Sequence, residues 1–348
     1  MISAALEVLN FLFKNFTFLF SLIFYTILAI ALSKSIKKNE RIYYWVCGII
    51  SAMFIIPMIG RWTGWFSFSF YSVPIVGNFV SEFSSFAYIG HALFVIIMYM
   101  GAFSTKHKPV ARLMSIRKHL SIIVGFPVFV HMLKRIFTAI HAFGFFTDRE
   151  AYMESPRNVS ELAAGISSVV FILGLVMFVL FLVLWITSFD SVRLKMKAKK
   201  WKQLQRWSYG LYAMLFIQAF GLQLSSYINQ CEREKMAAQT EQVLTTHNVG
   251  GERGGDKANI AMADAQKLQS HDRQESMQAG KGQPQAKQAP KGGHRHHPKR
   301  FSLSEVQIDR KTGSLIKMLI LLAVYGSYLF FRIRKAKRDK EKRAKRQK

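Results

Sequence analysis

Four histidines fall within long apolar stretches of this 348-residue chain. They are His91 in "AYIGHALFVII", and His119, His131 and His141 along "RKHLSIIVGFPVFVHMLKRIFTAIH". Ionisable side chains are costly in a bilayer interior and tend to mark functional positions there. A lone histidine on an apolar helix is most often a hydrogen-bonded packing residue. Within a helical bundle it is also the usual axial ligand of haem iron, with the flat apolar macrocycle filling the space between helices. Lys134 and Arg135 follow His131 at i+3 and i+4, one turn further along the same side of the helix. Bases so placed either pair with a haem propionate or extend to the membrane surface.

Depth supplies a second pattern. His131 lies fourteen residues beyond Arg117, and Gln218 seventeen beyond Trp201. At about 1.5 Å of rise per residue the two sit at similar depth, and Gln205 sits near the level of His119. Other chemistries lack their residues. The sequence has no Walker loop, no dinucleotide glycine fingerprint and no HExxH, and its apolar segments almost lack carboxylates. "GGHRHH" at 292–297 reads as a solvated basic tract rather than a metal site with fixed ligand geometry.

The elements that position these residues are set by blocks of apolar sequence. Hydrophobic residues make up 51% of the chain, in runs long enough to cross a bilayer as helices. Nothing alternates as a lipid-facing β-barrel strand does. The reading is an all-α integral membrane protein, a bundle of about seven transmembrane helices with a disordered outer connection. The spans fall near 11–33, 43–60, 84–104, 119–143, 162–189, 207–228 and 315–331, the last being short and containing Lys317. The lysines of "SKSIKK" directly after the first run argue against its cleavage as a signal peptide. Cys47 and Cys231 make neither a disulfide framework nor a thiolate site.

The net charge of +28 sits mainly in loops and the C-terminal tail, so the expected partner is the lipid bilayer and no nucleic acid. "SKSIKKNER" carries four Lys/Arg, "TKHKPVARLMSIRK" five, and "DSVRLKMKAKKWKQLQR" seven against one Asp. The intervening loops mix both signs. From Arg332 onward eleven Lys/Arg face only Asp339 and Glu341. The positive-inside rule then places the N-terminus outside and the C-terminus in the cytoplasm of a multi-pass cell-membrane protein. Residues 229–312 are rich in Gly, Gln, Lys and Ala and poor in aromatics, the composition of a disordered extracytoplasmic connection. The organisation is therefore 1–83 with two accessory helices, a core over 84–228, the connection over 229–312, and a seventh helix with a basic tail over 313–348.

The core resembles the ferric reductase-like transmembrane domain, most closely the haem-binding membrane subunit of the bacterial methionine sulfoxide reductase system. Gly90 opens a span, Arg117 and Lys118 form the basic pair, and His131 follows at the family's spacing. "LWITS" supplies Thr187 and Ser188, and "WKQLQRWSY" supplies Trp201, Leu204, Arg206 and Tyr209. The likeness covers about residues 84–228. It implies a four-helix core, haem b with His131 as an axial ligand, and electron transfer across the membrane. It also implies separate partners: a flavoprotein or quinone as donor, and a periplasmic reductase as acceptor. Two family histidines are replaced, by Gln205 and Gln218, and the family glycine after the basic pair is Ser121. Glutamine is not among the usual axial ligands. His91, His119 or His141 would then have to supply a missing ligand. The other reading is a haem-free relative serving as a membrane anchor or assembly partner of a redox complex, with His131 bonded to Gln218 across the bundle.

Overall fold

The computed structural model describes residues 16–65, 89–155, 158–249 and 309–347, and these are helical apart from caps and short turns. The principal helices are α1 (Thr17–Ala31), α2 (Glu40–Thr63), α3 (Gly90–Met100), α4 (Arg117–His141), α5 (Glu161–Ile186), α6 (Ser208–Val249) and α7 (Arg310–Gln347). Five of them, α2 and α4 to α7, are long and apolar enough to cross a membrane. The protein is thus an all-helical, multi-pass membrane protein. Within the described residues α1 and α3 are shorter, 15 and 11 residues.

Why α5 forms and faces as it does is plain from its sequence. Ser160 caps it by accepting a hydrogen bond from the Ala163 N–H, and Glu161 complements the dipole in the first turn. No charge follows until Asp190. Leu162, Val169, Val176, Val179, Val183 and Ile186 stay exposed along one side, a stripe suited to lipid, while Ser168, Gly174, Met177 and Phe181 are buried. By contrast α3 buries nearly every residue, including His91, Val95, Ile97 and Met98. A helix so short and so enclosed is central rather than lipid-facing.

Helix α4 packs against α2, α3 and α5; α5 lies beside α6, α6 beside α7, and α1 against α3. Hydrogen bonds from α3 to α7 close a ring of five helices. The Tyr99 hydroxyl donates to the Val324 carbonyl at 2.6 Å, and Lys335 Nζ caps the end of α3 by donating to the carbonyls of Gly101 and Phe103. Successive helices run in opposite directions, which gathers the Lys/Arg-rich loops at one end of the bundle. That end is called the basic end below, and the opposite one the far end.

The contact of α4 with α5 depends on Gly125. A Cβ there would lie 1.8 Å from the Trp185 indole nitrogen, which donates to the Ile122 carbonyl at 3.0 Å. Only glycine lets the ring reach the α4 backbone.

One sequence expectation needs correction. Residues 229–249 are not part of a disordered connection but continue α6, which at 42 residues is roughly 63 Å long. "NQCEREKMAAQTEQV" is rich in Ala, Glu, Lys, Gln and Met, strong helix formers, and a Lys235–Glu232 pair adds local support. Polarity without aromatics suggests disorder, but here helix propensity decides. Residues 250–308, with the "GGHRHH" tract, lie outside the described residues.

Candidate functional site

The helices form an open-sided cavity of about 870 Å³ between mid-depth and the far end. His91 of α3, His131 and Arg135 of α4, Gly174 of α5, Gln218 and Gln223 of α6, and Lys317 and Leu321 of α7 line it, with Phe18 of α1. Most of the remaining wall is apolar. A constriction of about 40 Å³ adjoins it toward the basic end, walled by Phe94, Phe178, Phe181 and Leu211 and again touched by His131 and Gln218. Beyond lies a second cavity of about 350 Å³, lined by Arg117, Lys118, Ser121, Arg193, Trp201 and Gln205 among others.

The candidate histidines separate clearly. His131 and Gln218 face the same cavity and the same constriction. The Gln218 side chain lies over Gly174, where a Cβ would approach its amide nitrogen to 2.6 Å, and that nitrogen donates to the Val170 carbonyl at 3.3 Å. His91 is buried. Its Nε2 meets the Tyr325 hydroxyl at 3.0 Å, and its ring packs 4.6 Å from Phe18. His119 turns away from both cavities. Its Nδ1 meets the Tyr44 hydroxyl at 2.8 Å and a Glu40 carboxylate oxygen at 3.1 Å, both on α2. His141 is exposed at the far end, with its ring 5.3 Å from Tyr152.

The two bases after His131 also part company. Arg135 lines the cavity, whereas Lys134 extends over the Phe54 ring of α2, 6.0 Å from its centre. Gln205 faces the second cavity, and its amide nitrogen donates to the Thr187 hydroxyl at 3.4 Å. At the mouth of that cavity Lys118 pairs with Asp190, and this hydrogen bond holds the Asp190 carboxyl below the usual carboxylate range.

Sequence reasoning missed Tyr325, Tyr44 and Glu40, and it counted Lys317 only against the seventh span. Nothing in α7 taken alone indicates which face turns inward. Glu40 is the single acid of "SKSIKKNER", an isolated charge of opposite sign that could have drawn attention.

Among the described residues no group of three or more His, Cys, Asp or Glu side chains could hold a metal ion by themselves. Haem iron makes a lesser demand, because the macrocycle supplies four of its ligands and the protein one or two. The far cavity meets that demand in part. It has the volume of a small-molecule site, an imidazole in its wall, and two cations, Arg135 and Lys317, suited to carboxylates. No family model, curated protein or solved structure matches the chain.

Proposed function

We propose that the protein is a membrane electron-transfer protein of the ferric reductase-like type, with b-type haem held in the far cavity and His131 as an axial ligand. The observation that carries this reading is the far cavity, which joins His131 to Arg135 and Lys317 within an otherwise largely apolar wall. A bound haem supplies one-electron oxidation and reduction. His131 would offer an imidazole nitrogen, a side chain that is less costly to bury in its neutral form than a carboxylate. Arg135 and Lys317 would be the partners for its propionates, and the largely apolar wall would limit water around it. His91 stands in the same wall but holds Tyr325, so it is assigned to positioning α7.

In this reading seven helices cross the membrane, the basic end faces the cytoplasm and the far cavity opens toward the outside. On this reading a flavoprotein or quinone would be the donor at the basic end, and a periplasmic reductase the extracytoplasmic acceptor. The test is an absorption spectrum of the purified protein, oxidised and reduced. A Soret band that shifts on reduction and is lost in His131→Ala supports the assignment. Colourless protein from haem-replete cells overturns it.

The haem-free anchor has its own support. Gln218 and His91 are satisfied within the bundle, by the Val170 carbonyl and the Tyr325 hydroxyl. That pattern suits a polar clamp between helices. Colourless protein that co-purifies with a redox partner would favour it.

A further inference from the structure

The second cavity, at the basic end, shares no lining residue with the far cavity. Its composition is divided. Arg117, Lys118 and Arg193 carry positive charge, and Asp190 answers only part of it, pairing with Lys118 and lying 3.7 Å from Arg193. Arg193 also stacks on Trp201, 5.1 Å from the ring centre. Arg117 is half-buried in this wall, and its guanidinium has no hydrogen-bond or ion-pair partner among the described residues. Several neutral polar groups are already engaged: the Ser121, Ser188 and Ser208 hydroxyls donate to backbone carbonyls, and Gln205 donates to Thr187. Apart from the Tyr212 phenol and the Trp185 indole, the rest of the wall, including Ile97, Leu184 and Leu211, is apolar.

A site with unanswered cations at a membrane surface and an apolar interior matches a ligand that is anionic at one end and oily at the other. Basic pockets between transmembrane helices take such headgroups. We propose that this cavity binds an anionic phospholipid from the leaflet at the basic end, its phosphate on Arg117 with Arg193 alongside, and an acyl chain against Ile97, Leu184 and Leu211. Arginine suits the role because its planar fork pairs two phosphate oxygens at once. The proposal does not depend on the haem reading.

The experiment is a titration of detergent-purified full-length protein, read by native mass spectrometry. The probes are short-chain phosphatidylglycerol, phosphatidylcholine of matched chain length, and inorganic phosphate. One phosphatidylglycerol is expected to bind saturably in preference to phosphatidylcholine. Arg117→Gln is expected to weaken it by roughly tenfold, and Arg334→Gln on the tail to leave it unchanged. Should Arg117→Gln fail to fold, Arg193→Gln at the exposed mouth carries the test, with a loss of about threefold expected. Equal binding of the two lipids, or indifference to both cavity arginines, overturns the proposal. Displacement of the lipid by inorganic phosphate at similar concentration identifies a free-phosphate site and overturns the lipid assignment.

Discussion

Lys134 and Arg135 are neighbours in sequence with similar charge, yet one reaches over an aromatic ring on α2 and the other faces the cavity. On a helix advancing about 100° per residue, Arg135 lies roughly 40° around from His131 and Lys134 roughly 60° the other way. His119 lies roughly 120° away, which agrees with its attachment to α2. Depth was legible in the sequence, since it follows from counting residues along a span. Azimuth was legible for residues on one helix and not across helices, because no sequence states which faces meet. Hence His131 and Gln218 were matched in depth, while Tyr325 went unseen. This division gives a prediction. Arg135→Ala should lower haem retention several-fold by removing a propionate partner, and Lys134→Ala should leave it near wild type. Pyridine haemochrome measured per mole of protein distinguishes the two. Equal losses would place both bases at the lipid headgroups instead.

The elements were the most legible part of the fold. Among the described residues the apolar runs lie in helices, five of them long enough to cross a membrane, since a backbone in lipid must satisfy its own hydrogen bonds. The end of α6 was misjudged because exposed polar sequence was equated with disorder, although its residues favour helix. The closeness of α4 and α5 was hidden for another reason. Gly125 sits beside Phe126 and Pro127, and nothing in the sequence marks it as the point where Trp185 is admitted. Gly125→Ala should therefore displace the indole and break its bond to Ile122. A cost of about 1–3 kcal/mol is expected for such overpacking, seen as a lower melting temperature in detergent. Gly210→Ala, with nothing near its added carbon, serves as the control. Unchanged melting of Gly125→Ala would mean that α4 and α5 meet less tightly.

At the scale of the whole molecule, the charge asymmetry of the loops and the antiparallel order of the helices agree on which ends lie together. The sidedness of the bundle rests on the charge rule alone, and the chain's own cysteines offer a test. Cys231 lies on α6 just beyond the apolar segment at the far end, and Cys47 lies within α2. A membrane-impermeant maleimide applied to intact cells should label Cys231 and spare Cys47. Labelling of Cys231 only after the cells are opened would reverse the orientation.

The seventh helix completes the wall of the far cavity from a distant part of the chain. Its ties to the rest include Lys311 to Glu234, Tyr325 to His91, Tyr99 to the Val324 carbonyl, Arg332 to Tyr209, and Lys335 to Gly101 and Phe103. They run along the helix from one end of the bundle to the other. In form the protein is a bundle whose last stave is pinned along its length by side chains. Any molecule in the far cavity would touch both that stave and the rest of the wall. By linkage, filling the cavity would tighten the grip on α7, and losing α7 would loosen the grip on the occupant.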